Sequence, residues 1–166
     1  MSSFTHIDKK GHVRMVDVTR KKASLRLATA QAIICLNPDT FEKIQSLTIK
    51  KGNVLETARI AGIMAAKKTS AFIPMCHPLN ITHVKIDFFP DKKKNLIRIE
   101  ATVRLVGQTG VEMEALTAVS IAALTIYDMC KSYDREMEIS DVCLLKKSGG
   151  KSGTYQRKGS KSREVK

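Results

Sequence analysis

Apolar positions along this chain recur with two different periods, and the changes between them mark out most of the elements. From Lys22 to Leu36 the alternation is partial: Ala28, Ala30 and Ala32 fall on one side of an extended chain with Ser24, Arg26 and Ile34. A strand is predicted there. Asn37-Pro38 starts a short helix, with the proline well placed for a first turn and Phe41, Ile44 and Leu47 at helical spacing. Asn53 caps a second helix running to about Lys68, and Glu56, three positions on, completes the asparagine form of a capping box. Its Ala58, Ala61, Gly62, Ala65 and Ala66 are small enough to let a neighbouring element approach closely. Pro74 and Pro78 then bracket Met75-Cys76-His77 in an irregular loop, because the residue before a proline is pushed out of helical geometry.

His83 to Phe89 and Asn95 to Leu105 alternate in apolar character and are separated by the charged hairpin loop Pro90 to Lys94. Val111 to Lys131 is the most apolar helical stretch, with Met113, Leu116, Val119, Ile121, Leu124, Ile126 and Met129 spread over more than one face. Such a helix must be covered on several sides. Glu136 to Lys146 supplies a last strand. The order strand, two helices, two strands, helix, strand predicts an α+β fold: a ferredoxin-like antiparallel sheet with helices on one face and an extra helix in the first crossover. A half-covered sheet and an all-round apolar helix in so small a domain predict subunit contacts.

The length of 166 residues, 43% of them hydrophobic, fits one domain over residues 1–153. From Lys151 onward Gly, Ser and Lys leave too little apolar surface to offset the entropy of ordering, so 154–166 reads as a basic, disordered tail. No apolar run approaches 18 residues, which argues against a membrane span, and Met1 to Lys10 lacks the apolar core of a secretory signal. The cytoplasm is the expected location. The net charge of +13 raises nucleic-acid binding, yet eight Lys or Arg residues against one acid lie from Leu144 onward, about half the excess. Aromatic residues are 5% and no stacking motif appears, so no specific nucleic-acid partner is expected. Cys35, Cys76, Cys130 and Cys143 are irregularly spaced without a CxxC pair, and read as thiols rather than metal ligands.

Three stretches hold polar residues that secondary structure alone does not explain. Lys50-Lys51-Gly52-Asn53 precedes a helix N-terminus, where an anion fits beside two ammonium groups and a solvated basic turn fits as well. In the proline-bracketed loop, His77 is either a proton carrier or a satisfied structural histidine. The long helix opens with Glu112 and Glu114 and nearly closes with Asp128 and Lys131. Glu114 and Asp128, fourteen residues apart, share roughly one stripe of that helix but lie about 21 Å apart along its axis. They serve different sites, or a second subunit brings the two ends together. Asp128 and Lys131 are i,i+3 neighbours offering a base and an acid.

Six motifs in fixed order then carry a likeness: Lys51-Gly52, Thr57 to Ile63, Pro74 to Leu79, Thr109 to Thr117, Thr125 to Lys131 and Lys147 to Gly153. Together they resemble the cyclic pyranopterin monophosphate synthase family of molybdenum-cofactor biosynthesis from Thr5 to Gly153. The resemblance implies a lyase that converts the 3',8-cyclised dihydro-GTP made by a radical SAM GTP cyclase into a cyclic-phosphate pyranopterin, releasing pyrophosphate. It implies a homohexamer, a trimer of dimers, with active sites shared between subunits. By the same resemblance Asp128, Lys51 and Lys131 are catalytic. Met75, Cys76, His77, Glu112, Met113 and Glu114 contact substrate, and Lys67 and Lys147 match phosphate contacts. No cofactor is required, although Mg²⁺ can accompany the phosphates. Asn53 stands where the family usually has aspartate, which removes one negative charge near Lys51.

Overall fold

The computed structural model of the protein describes residues 10–158. Residues 1–9, and 159–166 of the expected tail, lie outside the described residues. Strand β1 spans Ser24–Cys35, followed by α1 (Pro38–Gln45), α2 (Val54–Lys67) and a single turn, α3 (Thr69–Phe72). The hairpin β2 (His83–Asp91) and β3 (Leu96–Gly107) leads to α4 (Glu112–Cys130), β4 (Glu138–Ser148) and the two-residue β5 (Tyr155–Gln156). The sheet order is β2-β3-β1-β4-β5, all pairings antiparallel. Its first four strands follow the ferredoxin-like order, with α1 and α3 added to the first crossover.

Local chemistry accounts for the boundaries. Asn37 caps α1 by accepting from the Thr40 amide at 2.7 Å. Asn53 caps α2 by accepting from the Glu56 amide at 3.1 Å, while Glu56 pairs with Arg59 instead of closing the box. The β2–β3 turn is held by Asp91, whose Oδ1 accepts from the Lys93 and Lys94 amides at 3.0 and 3.2 Å.

The even-numbered residues of β1 and the odd-numbered ones of β3 face the helices. Ala28, Ala30, Ala32 and Ile34 meet Ile97, Ile99, Ala101, Val103 and Leu105, all essentially without solvent exposure. The alanines of β1 leave room for α4, whose Ala115, Ala118, Val119, Ala122 and Ile126 are also fully buried. Close approach continues between α2 and α4. A Cβ on Gly62 would lie 2.9 Å from the Ala118 carbonyl oxygen and press on the Ile86 side chain, so only glycine allows this spacing.

Several expectations change in three dimensions. Leu47 does not belong to the buried face of α1: the helix stops at Gln45, and Leu47 sits at φ 58°, well exposed. Tyr155 and Gln156, within the segment read as a tail, pair with Lys147 and Lys146 on β4. By length and composition α4 could cross a membrane, but half of it is buried within the domain against α2 and the sheet, as a core helix would be. Among the described residues no helix covers the opposite face of the sheet. There Leu25 and Val106, cross-strand partners, are 59% and 65% exposed. Ile60 and Met64 on α2 and Leu124 on α4 are exposed as well.

Candidate active site

Most of the candidate side chains gather at the two ends of α4. The C-terminal cluster begins with a turn: the Gly52 amide donates to the Ile49 carbonyl at 3.0 Å, with Gly52 at φ 102°, a conformation other residues adopt only with strain. This turn projects Lys51 toward the end of α4, where its ammonium donates to the Asp128 carbonyl at 2.8 Å. That carbonyl belongs to the last helical turn, whose oxygens have no partner within the helix and carry the negative end of its dipole. Lys131, just beyond the helix, contacts the Asp128 carboxylate at 2.7 Å. The hydrogen bond and charge of Lys131, with Lys51 adding, hold the Asp128 carboxyl below the ordinary carboxylate range. Its bond to Asp128 raises the Lys131 ammonium in return.

Within one chain, burial is not the source of that tuning. The side chains of Asp128 and Lys131 are 64% and 53% exposed, so hydrogen bonding and charge set their titration. Below the ion pair the fold is tightly built. Asp134, buried, accepts from the Asn37 and Glu136 amides at 2.7 and 3.1 Å, tying the segment after α4 to the end of β1.

At the other end, the N-terminus of α4 opens onto a cavity of about 770 Å³. Val111 caps α4 without a side-chain hydrogen bond, and the positive end of the helix dipole lies near Glu112 and Glu114. The cavity takes Met75, Cys76 and His77 from the proline-bracketed loop, Glu112, Met113 and Glu114 from α4, and Lys147 from β4. All seven were singled out from sequence. Lys67 is not among them: it ends α2, exposed, and does not line this cavity.

Glu114 is 3% exposed, and burial, with Glu112 adding, pushes its carboxyl up to about 7. Burial and the charge of Glu114 raise the nearby Cys76 thiol. A carboxyl whose folded pKa lies above its unfolded one stabilises the fold fully below about 4.5 and loses that contribution as pH rises to about 7. The loss amounts to about 3 kcal/mol. Glu114→Gln should therefore flatten the decline in stability between pH 5 and pH 8 relative to wild type, measured by chemical denaturation. Parallel curves for the two proteins would refute the burial of a charge at this position.

Sequence reasoning missed several parts of the cavity. Residues 16–22 form a strap across it: the His77 Nε2 lies 2.9 Å from the Val16 carbonyl, and Gln108 Nε2 donates to the Lys21 carbonyl at 3.0 Å. A carbonyl only accepts, so His77 carries its proton on Nε2 in this contact. Arg26 was also missed. It is 8% exposed and donates from Nε and Nη2 to the Gly107 and Gln108 carbonyls, both at 3.1 Å. The signal was present, because Arg26 shares a strand face with three alanines and an isoleucine, where a charge needs a reason.

The Lys51, Asp128, Lys131 cluster and the cavity thus sit at opposite ends of a 19-residue helix, about 28 Å long. The model of the MoaC family matches residues 15–150, which include both ends. The chain belongs to the MoaC family. Similar members agree over nearly the full length. The cyclic pyranopterin monophosphate synthase of Desulforapulum autotrophicum is 63% identical over 155 residues, covering 93% of this chain and 95% of that relative. That of Desulfatibacillum aliphaticivorans is 59% identical over 159 residues, covering 96% of this chain and all of the relative. The enzyme of the same name from Syntrophomonas wolfei is 61% identical over 155 residues, covering 93% and 99%. Residues outside the described part of this MoaC-family chain are few, and both candidate clusters lie within it.

Proposed function

We propose that this MoaC-family chain is a cyclic pyranopterin monophosphate synthase, a lyase acting in molybdenum-cofactor biosynthesis. Its substrate is (8S)-3',8-cyclo-7,8-dihydroguanosine 5'-triphosphate, supplied by a radical SAM GTP cyclase, and its products are cyclic pyranopterin monophosphate and pyrophosphate. The names and near-complete coverage of its relatives support this activity. The observation that carries the site assignment is the division of functional groups between the two ends of α4: Lys51 and Lys131 on Asp128 at one end, Glu114, His77 and Lys147 at the other.

Each cluster holds half of what the reaction needs. Rebuilding a ribose-purine skeleton moves protons on and off ring nitrogens and oxygens. Asp128, kept ionised by its neighbours, accepts a proton, and Lys131, kept charged by Asp128, donates one. Closing the cyclic phosphate requires a sugar hydroxyl to attack the α-phosphorus while the bond to the departing pyrophosphate breaks. The hydroxyl proton passes to a base, and the developing charge falls on the leaving oxygens. Cations around the cavity, Arg26, Lys21, Lys22 and Lys147, suit that polyanion. Lys67 joins only if another copy brings it near.

In this reading the two half-sites meet between copies, in a homohexamer assembled as a trimer of dimers. The uncovered sheet face and the exposed Ile60, Met64 and Leu124 offer apolar surface for such contacts. The enzyme works in the cytoplasm and needs no resident cofactor, and Mg²⁺ accompanies the substrate phosphates. Incubating the purified protein with the cyclised dihydro-GTP should release one pyrophosphate per pterin product, followed by coupled phosphate assay and mass spectrometry. Substrate recovered unchanged from the wild-type protein would refute the activity.

A further inference from the structure

Among the described residues three buried side-chain oxygens have no hydrogen-bond partner: Ser24 Oγ, Thr40 Oγ1 and Thr109 Oγ1. An orphaned buried hydroxyl costs the fold stability, and each one calls for an explanation. Ser24 and Thr109 both belong to the wall of the cavity at the N-terminus of α4, whereas Thr40 lies in α1, outside it. Two buried hydroxyls on one wall with no protein partner are both placed to take a polar partner from the cavity.

The strands bring this pair together. Ser24 opens β1, and its register partner is Gly107, two residues before Thr109. Arg26, next on the same face of β1, bridges to the Gly107 and Gln108 carbonyls. Its hydrogen bonds thus go to backbone, and no carboxylate among the described residues pairs with its charge. Lys21, Lys22, Lys147 and Lys151 complete this side of the wall. Here are hydroxyl donors without acceptors beside cations, and a phosphate chain supplies acceptor oxygens with the opposite charge. Serine and threonine have three staggered χ1 wells, which lets a hydroxyl turn from the wall toward a ligand.

We propose that Ser24 and Thr109 are binding residues for the phosphate chain of the substrate, donating their hydroxyls to its oxygens between Arg26 and the lysines. The proposal deepens the reading above and rests on it in one respect, that this cavity receives a polyphosphate. It assigns the pyrophosphate leaving group to the β1 and β4 side of the cavity. The acidic end formed by Glu112 and Glu114 is left for the uncharged ring system. The two hydroxyls keep their stability cost because they are used only when the site is filled.

Inorganic pyrophosphate is the probe, titrated calorimetrically into the full-length wild type and into Ser24→Ala, Thr109→Val and Thr40→Val. Ser24→Ala and Thr109→Val should each weaken pyrophosphate binding roughly tenfold or more, the value of a hydrogen bond to a charged acceptor. Thr40→Val should bind as wild type does. Thermal midpoints of the first two variants should equal or exceed that of wild type, since an orphaned hydroxyl has been removed. Affinity unchanged in both variants, absence of pyrophosphate binding in the wild type, or midpoints that fall together with affinity would each overturn the assignment. A wild type that binds pyrophosphate but forms no pterin product would instead overturn the catalytic reading and leave these two hydroxyls as anion ligands.

Discussion

Asp128→Asn slows pyrophosphate release by roughly 10²- to 10⁴-fold, the range contributed by a positioned acid–base group. The substitution keeps the size of the side chain and removes its charge. Lys51 retains its bond, because that bond goes to the Asp128 backbone carbonyl. Lys131 loses the carboxylate that holds its ammonium in place, so one change disables the base and loosens the acid. The pair is exposed in the single chain, and exposed ion pairs contribute little to stability, so the variant should fold and melt much as wild type does. Single-turnover kinetics with thermal denaturation separate the two effects. Turnover within about threefold of wild type, in a folded variant, would remove Asp128 from the chemistry.

Two inactive variants restore activity when their chains are mixed. Asp128→Asn damages the C-terminal cluster of α4, and Glu114→Gln damages the cavity at its N-terminus. If each active site takes one cluster from either copy, a mixed dimer contains one site with both defects and one with none. Random pairing of equal amounts then gives roughly a quarter of wild-type activity, by counting sites in an isologous dimer. Co-expression with distinguishable tags, followed by sequential purification of the mixed species, makes the measurement direct. If the purified mixed species is no more active than its parents, the clusters do not meet between copies and the shared site is lost. The test is demanding because the two residues cannot meet within a chain: fourteen residues of helix hold them about 21 Å apart.

Much of this architecture was legible before any coordinates. Pro38 and Asn53 signalled helix starts because capping and proline geometry act within a few residues, and both starts fall where expected. Pro74 and Pro78 signalled the irregular loop for the same reason. The cavity loop and the start of α4 were recognisable as candidate chemistry because polar residues stood where periodicity did not require them. Leu47 was misjudged, since apolar spacing cannot tell a helix's last turn from a residue bent into a left-handed conformation after it. Tyr155 and Gln156 were misjudged too. Their composition offers no core, and their order comes from β4 hydrogen bonds that a local reading does not contain. Arg26 went unread because its alternation signal was weaker than the alanine stripe around it.

By itself the sequence determined the element order, the helix caps, the rigid loop holding His77, and the impossibility of joining Glu114 to Asp128 within one helix. Those follow from short-range sterics, hydrogen bonding and helical rise, which act along the chain. Only the tertiary structure decided that Lys51 reaches the open carbonyls at the end of α4. Only it decided that a strap from residues 16–22 crosses the cavity, that Glu114 is deep enough to hold a proton near neutrality, and that Ser24 and Thr109 share a wall. Each of these depends on groups distant in sequence being packed together and shut away from water. Burial and through-space hydrogen bonds are set by packing rather than by neighbours along the chain.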